Sequence, residues 1–219
     1  MSNHSQMLVF DMDGVLVEVS ESYRETIVRT VEHFTGKTVT RARIQDYKNQ
    51  GGWNNDWALS QKICRDLGVE VPYATVVEYF NYLFLDQGMI HRERWLPRDG
   101  LLDRLGQKFE LAIYTGRTTQ EAEITLNREG VRERFLLVTA NDVEKEKPAP
   151  EGLLKIAAMR PNKKLLYVGD TVDDARCARA ANVPFIGIAA HNHERRAELL
   201  QLFSLEGAIQ VLGEINEIG

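Results

Sequence analysis

Hydrophobic positions follow two different patterns, which divide the chain into two regions. Short, continuous apolar runs occur near the start and again after about residue 100, with the sequences MLVF, ELAIY, FLLV, LLYV and FIGI. Amphipathic stretches such as TQEAEITLNREG, PEGLLKIAAM and DDARCARAANV lie between the later runs. Buried strands that alternate with helices are typical of a parallel sheet covered on both faces. We therefore predict an α/β fold built on a doubly wound parallel sheet.

The region from about residue 20 to 90 shows helical spacing of apolar residues instead. Ile27, Val28 and Val31 recur at that spacing, and the stretch stops at Gly36. The stretches DWALSQKICRDLG and PYATVVEYFNYLFLDQG have the same character, and each also ends at a glycine. No strand pattern interrupts them. We predict an all-helical domain over residues 17–95, inserted into an α/β core formed by residues 1–16 and 96–219.

Composition narrows the classes of protein and of partner. The chain has 219 residues, a hydrophobic share of 43% and a net charge of −5, which disfavours nucleic acid as the main partner. No apolar run approaches the roughly 18 residues that a membrane span needs. The start, MSNHSQ, lacks the pattern of a signal segment, so we expect a cytoplasmic protein. Cys64 and Cys177 lie in helical patterns, and we expect unpaired thiols in the core.

Polar residues follow three of the predicted strands. Asp11 and Asp13 come directly after the first apolar run, Thr115 follows another, and Asp170 follows a third. The carboxyl ends of parallel strands meet at one edge of the sheet, where ligands bind. Like charges gathered there raise each other's pKa unless a cation compensates. A hard divalent ion with oxygen ligands is the simplest compensation, and Mg²⁺ suits a site that also holds phosphate.

Four segments in order, FDMDGVL, YTGR, EKPAP and VGDTVDD, resemble the four motifs of the haloacid dehalogenase (HAD) superfamily of phosphohydrolases. The helical insertion resembles the cap of the phosphoglycolate phosphatase and beta-phosphoglucomutase branch. The resemblance implies a Rossmann-like core with an inserted helical cap. It also implies a phosphatase that works through an aspartyl-phosphate.

By this resemblance Asp11 is the nucleophile that accepts the phosphoryl group. Asp13 is the general acid that protonates the leaving oxygen and then the base that activates water. The presence of an acid at residue 13 favours phosphate transfer over carbon–halogen cleavage, because the dehalogenases of this family lack it. Two residues apart on an extended segment, the two side chains point to the same side.

The second and third motifs supply groups for the phosphate. The resemblance assigns the hydroxyl of Thr115 and the backbone N–H of Gly116 to a phosphoryl oxygen. Arg117 is either a substrate contact or a surface or structural arginine. The family places its lysine directly before a proline, which selects Lys147 over Lys145.

The metal site implied by the resemblance is formed around the fourth motif. Asp170 joins Asp11 and the backbone carbonyl of Asp13 around Mg²⁺. Asp174 is placed at the metal or just behind it. For Asp173 we expect instead a capping role at the start of the following helix.

The segment NQGGWNNDW at residues 49–57 carries the most distinctive residues of the predicted helical domain. One interpretation is that its tryptophans anchor the core of that domain and that Asn55 or Asp56 caps the next helix. The other is that Trp53, Asn54, Asn55 or Asp56 faces the phosphate site and recognises the leaving group of the substrate. Side-chain amides suit hydroxyl or amino groups of a small polar molecule.

Three functions follow as alternatives. The first is a Mg²⁺-dependent phosphatase acting on a small phosphomonoester. The second is a phosphomutase that uses the same site and returns the phosphoryl group to a second hydroxyl of a sugar. The third, a phospho-accepting signalling domain, fits poorly because the acceptor pair lies on the first strand and a long helical insertion follows it. The substrate and the oligomeric state stay open.

Overall fold

The computed structural model describes residues 4–193 and 195–219, and the chain divides into two compact units. One unit comprises Met1–Val17 and Trp95–Gly219, and the other is Glu18–Arg94. No helix within the described ranges is long and apolar enough to cross a membrane.

Six strands form a single parallel sheet in the first unit, and two short strands pair with each other where the chain passes between the units. The strands are β1 (Gln6–Phe10), β2 (Val17–Glu18), β3 (Arg94–Trp95), β4 (Glu110–Tyr114), β5 (Leu136–Val138), β6 (Lys164–Gly169), β7 (Phe185–Ile188) and β8 (Gln210–Leu212). The order across the main sheet is β5-β4-β1-β6-β7-β8. The predicted doubly wound sheet is confirmed, whereas β8 was not predicted.

The strand order places a switch point at the centre of the sheet. From β1 the chain moves outward to β4 and β5, then returns to the other side of β1 with β6 and continues to β8. Phe10, the last residue of β1, pairs with Ile113 of β4 and Val168 of β6. The three strands therefore end almost level, which is where open α/β sheets bind ligands.

The second unit contains the first four α-helices of the chain, and the helices that cover the sheet follow them in the sequence. They are α1 (Tyr23–Thr35), α2 (Arg41–Gln50), α3 (Asp56–Asp66) and α4 (Tyr73–Asn81), and a π-helical segment (Tyr82–Asp86) follows α4. Gly36 ends α1 in the left-handed conformation, as its position after the apolar pattern predicts. The all-helical character predicted for this region is confirmed, although α2 was not predicted.

The remaining helices belong to the sheet unit: α5 (Leu101–Gly106), α6 (Thr119–Arg128), α7 (Glu151–Met159), α8 (Val172–Ala180) and α9 (Arg196–Leu205). Strand residues Met7 to Phe10 are all buried, because the sheet is covered on both faces. One face packs Met7, Val9 and Tyr167 against α7, α8 and α9. Cys177 lies in this core, and both Cys64 and Cys177 are unpaired, as predicted.

Candidate active site

Asp11 lies directly beyond the last residue of β1, at the switch point. Its backbone N–H donates to the carbonyl of Val168 at 2.7 Å, which continues the pairing of β1 with β6 by one residue. The residue is only 6% exposed. A carboxylate so far removed from water is costly unless a cation or hydrogen bonds compensate it.

Lys147 supplies that compensation. Its side chain is buried, and Nζ donates to Asp11 Oδ1 and Asp174 Oδ1, each at 2.8 Å. The same nitrogen lies 3.1 Å from the hydroxyl of Tyr167 and 5.2 Å from the ring centroid of Tyr114. One buried ammonium thus bridges two buried carboxylates, with aromatic rings excluding water around it.

The two carboxylates that share Lys147 have opposite pKa shifts. Burial raises the pKa of Asp11 to about 7; the charge of Lys147 opposes this rise, and the charges of Asp174 and Asp13 add to it. Burial also acts on Asp174, but the charge of Lys147 and hydrogen bonds from Lys147, Thr171 and Tyr167 outweigh it and lower its pKa. In the same way, Asp11 and Asp174 overcome the effect of burial on Lys147 and raise its pKa well above the usual value. Asp174 is therefore the better-stabilised carboxylate.

Asp174 is held by the start of α8. Its Oδ2 accepts from the N–H of Thr171 at 3.0 Å and from the Thr171 hydroxyl at 2.6 Å. Its Oδ1 accepts from the Tyr167 hydroxyl at 2.7 Å as well as from Lys147. Thr171 and Asp174 form a capping box, so Thr171 caps α8 and the expectation that Asp173 does so was wrong.

Asp170 follows β6 and lies against the turn after Asp13. Gly14 in that turn has a φ of +74°, and a Cβ at this position would lie 1.8 Å from Asp170 Oδ2. Glycine is therefore required for two reasons, the left-handed backbone and the close approach of a carboxylate. The turn is closed by the N–H of Gly14, which donates to the carbonyl of Val17 at 2.8 Å.

Three carboxylates form a group that could hold a metal ion. Each of Asp11, Asp170 and Asp174 offers one oxygen, and these three atoms lie within 4.8 Å of one another. Carboxylate oxygens are the ligands that Mg²⁺ prefers, so the donor set fits this ion. Both oxygens of Asp174 already accept hydrogen bonds from the protein, so an ion would compete with these bonds for Asp174.

Thr115 follows β4, on the other side of β1. Its backbone N–H donates to the carbonyl of Val138 at 3.1 Å, and its side chain is buried. The hydroxyl oxygen accepts from the backbone N–H of Arg117 at 3.2 Å. Since the oxygen is the acceptor in that bond, the hydroxyl proton is available for a ligand. Gly116, between them, is half-buried.

Arg117 contacts Asp13 rather than the surface. Its side chain is 0% exposed, Nε donates to Asp13 Oδ1 at 2.8 Å, and Nη2 donates to the same oxygen. Nη1 donates to the hydroxyl of Thr125 on α6 at 2.9 Å. The carboxylate of Asp13 is about one-third exposed. Of the two interpretations of Arg117, this environment favours the structural arginine.

Two of the predicted residues of the helical unit, Trp53 and Asn55, contact other residues of that unit. Asn55 caps α3, because its Oδ1 accepts from the N–H of Ala58 at 3.0 Å. The ring of Trp53 packs edge-on against Tyr47, at 6.1 Å between centroids. Asn54 is half-buried in the loop before α3. The predicted capping role of Asn55 is thus confirmed, while recognition of a substrate by Trp53, Asn54 and Asn55 stays a prediction.

Sequence reasoning missed the partners of the charged residues. Tyr167 lies inside the apolar strand pattern LLYV, which gives no sign of its hydrogen bonds with Lys147 and Asp174. Thr171 stands three residues before Asp174, which is the spacing of a capping box. This spacing was the sequence signal for the hydrogen bonds between Thr171 and Asp174. No local pattern indicated that Arg117 would bind Asp13, 104 residues away.

Comparison with known proteins agrees with this geometry. The family of haloacid dehalogenase-like hydrolases matches residues 8–188. An imidazoleglycerol-phosphate dehydratase of Phytophthora nicotianae is 32% identical over 200 residues; the match covers 86% of this chain but spans only 44% of that protein. The pyrophosphatase PpaX of Bacillus pumilus is 24% identical over 83% of this chain and 82% of its own.

The fold has close counterparts among solved structures. A predicted phosphoglycolate phosphatase from Haemophilus somnus aligns with a TM-score of 0.77 at 16% identity, over 97% of this chain and 96% of that one. At that identity the likeness concerns the fold alone. The match to the family, by contrast, extends from the first strand to the end of β7 and includes all the charged residues at the switch point. The chain belongs to the family of haloacid dehalogenase-like hydrolases.

Proposed function

We propose that the protein is a Mg²⁺-dependent phosphatase that hydrolyses a small phosphomonoester through an aspartyl-phosphate on Asp11. The observation that carries the proposal is the asymmetry between Asp11 and Asp174 around Lys147. Asp174 accepts four hydrogen bonds, from Lys147, Tyr167 and Thr171. Asp11 accepts one from the residues that the structure describes, that of Lys147 to Oδ1, which leaves its second oxygen to attack phosphorus.

In the proposed reaction, an oxygen of Asp11 forms a bond to phosphorus as the bond to the leaving oxygen breaks. Asp13 gives its proton to that oxygen, then takes a proton from the water that attacks phosphorus in the aspartyl-phosphate; the bond between phosphorus and Asp11 breaks, and inorganic phosphate leaves. Lys147 stays charged throughout and offsets the negative charge on the phosphoryl group. The Thr115 hydroxyl and the Gly116 N–H donate to phosphoryl oxygens.

The acidic group supports a resident metal ion. Asp11, Asp170 and the backbone carbonyl of Asp13 would hold Mg²⁺, which would neutralise negative charge on the phosphoryl group. Asp174 would then act behind the ligands, by fixing Lys147 and the start of α8. Its direct coordination of the ion, also predicted from the sequence, stays open to test.

The helical unit, which we propose to be the cap, would select the substrate. Trp53, Asn54 and Asn55 remain candidates for that task. The boundaries predicted at residues 16/17 and 95/96, and a cytoplasmic location without nucleic acid or membrane partners, also remain predictions.

Phosphoglycolate, sugar phosphates and amino-alcohol phosphates are the esters to compare first. The names of the two related proteins add imidazoleglycerol phosphate and inorganic pyrophosphate.

The test is phosphate release from this panel, with Mg²⁺ or with excess chelator, by the wild type and by Asp11→Asn. We expect release from a few related compounds, lost by at least about 10³-fold in Asp11→Asn because the nucleophile is gone. Asp103→Asn, a surface carboxyl paired with Arg134, is the control and should be unchanged. Conversion of a sugar phosphate without free phosphate would support the mutase instead. Full activity in chelator would contradict the metal.

A further inference from the structure

We propose that Arg117 is the positioning residue for Asp13, holding its carboxylate for proton exchange with the leaving group and with water. The inference rests on the proposed function, because it assumes that Asp13 is the acid and base. Arg117 acts through Asp13 and does not touch the substrate.

The burial of Arg117 separates this role from a substrate contact. Its side chain is 0% exposed, and each of its three guanidinium nitrogens has a protein acceptor. A buried charge this deep is costly unless hydrogen-bonded partners hold it. Asp13 meets that condition, whereas a small ligand would have to displace it.

The ion pair also defines which oxygen of Asp13 is available. Nε and Nη2 of Arg117 converge on Oδ1, and the carboxylate is one-third exposed. Oδ2 is left outside this ion pair, so it is the oxygen that we assign to proton exchange. Two donors of one rigid, planar guanidinium fix the position of Oδ1 in a way that a single lysine ammonium does not.

Arg117 is itself anchored on two sides. Nη1 donates to the hydroxyl of Thr125 on α6, and the backbone N–H donates to the hydroxyl oxygen of Thr115. The same residue therefore links the acid after β1 with the phosphate-binding hydroxyl after β4. An error in its position would misplace the proton donor relative to the phosphoryl group.

Substrates whose leaving groups differ in basicity distinguish a misplaced general acid from a general loss of activity. An alkoxide must take the proton of Asp13 as its bond to phosphorus breaks, whereas p-nitrophenolate leaves without one. The parameter to compare is kcat/KM, because it covers the steps up to release of the alcohol and omits hydrolysis of the aspartyl-phosphate. The two probes are p-nitrophenyl phosphate and the aliphatic ester that the wild type hydrolyses fastest.

The main variant is Arg117→Lys, which keeps the charge and removes the planar fork. We expect kcat/KM for the aliphatic ester to fall about 10–100-fold, and that for p-nitrophenyl phosphate by less than about 3-fold. Asp13→Asn should show the same selectivity with a larger loss, about 10²–10⁴-fold. Arg117→Lys added to Asp13→Asn should cause no further selective loss. Arg134→Lys, at a surface ion pair, is the matched control.

Thr125→Val is the second variant, in case Arg117→Lys does not fold. It removes the acceptor of Nη1 without changing the shape of the side chain, and we expect the same selectivity at about 3–10-fold. Equal losses on both esters in the Arg117 and Thr125 variants, or no loss, would overturn the role of Arg117. Absence of selectivity in Asp13→Asn would instead overturn the acid role of Asp13, and with it the proposed mechanism.

Discussion

The two units use their polar side chains in different ways. In the sheet unit, Lys147 binds Asp11 from 136 residues away, and Arg117 binds Asp13 from 104 residues away. In the helical unit, polar contacts are mostly local, as between Asn55 and Ala58 or within the Lys48–Asp56 ion pair. Local contacts stabilise helix ends and turns. Charges from distant parts of the chain that meet in a buried site contribute little net stability, because the cost of removing them from water offsets their attraction. Their presence therefore indicates a catalytic or binding role.

Removal of Lys147 should show the largest effect in this comparison. In Lys147→Met, the carboxylates of Asp11 and Asp174 remain buried side by side without their shared cation. We expect the free energy of unfolding in chelator to fall by about 3–5 kcal/mol, measured by urea denaturation, together with loss of phosphate release. Lys145→Met, at an exposed neighbour, should stay within about 0.5 kcal/mol of the wild type. Unchanged stability of Lys147→Met would contradict the bridging role of Lys147.

Two glycines, one in each unit, provide a second test. Gly14 and Gly36 both have positive φ, at +74° and +66°, but a Cβ on Gly36 would meet nothing within 4 Å. Gly36→Ala should cost about 1 kcal/mol of unfolding free energy, from the backbone alone. Gly14→Ala should cost about 2–4 kcal/mol and lower phosphate release, because its Cβ must displace the Asp170 carboxylate. Equal costs at the two sites would show that the approach of Asp170 is unimportant.

Helix caps of the helical unit should show a smaller effect. Asn55→Ala removes the cap of α3, and Thr40→Ala removes that of α2, whose N-cap hydroxyl accepts from the N–H of Arg43 at 3.2 Å. Each should lower the free energy of unfolding by about 1 kcal/mol. A rise in KM in Asn55→Ala that Thr40→Ala lacks would support a substrate contact by Asn55. No loss of stability in either variant would contradict the capping roles.

The smallest expected effect is a pH dependence at the start of β4. Burial raises the pKa of Glu110, but hydrogen bonds from Arg160 and Lys163 outweigh it and bring the pKa below the usual value. A lowered folded-state pKa gives stability that is present above about pH 4.3 and is lost as the pH falls through the folded-state pKa. Glu110→Gln should therefore be less stable than the wild type at pH 7, by under about 1 kcal/mol, with no difference near pH 2. A difference that persists at pH 2 would assign the effect to packing.

The apolar pattern predicted the strands that matter for the site, because β1, β4, β6 and β7 are buried on both faces. It missed α2, whose sequence RARIQDYKNQ buries one apolar residue, Ile44, beside the amides of Gln45 and Asn49. It also missed β8, a strand of three residues at the edge of the sheet. Elements that contribute little apolar surface to a core leave little periodicity in the sequence.

At the site, motif order predicted which residues meet but not how they are paired. Asp11, Asp13, Thr115 and Asp170 follow the ends of β1, β4 and β6, and Lys147 contacts Asp11. The pairing of Arg117 with Asp13 and of Tyr167 with Asp174 depends on side-chain geometry across distant segments. Local patterns of apolar and polar residues carry no information on contacts between side chains that are far apart in the sequence.

The most direct test of the proposed mechanism is to trap a phosphoryl group on Asp11. Asp13→Asn is mixed with p-nitrophenyl phosphate and Mg²⁺, since this ester needs no acid to leave and the intermediate then lacks its base. We predict a burst of one nitrophenolate per enzyme, followed by slow turnover. After an acid quench and borohydride reduction, mass spectrometry should find homoserine at residue 11. Turnover without a burst, with Asp11 unmodified, would contradict the aspartyl-phosphate and the assignment of Asp11 as nucleophile.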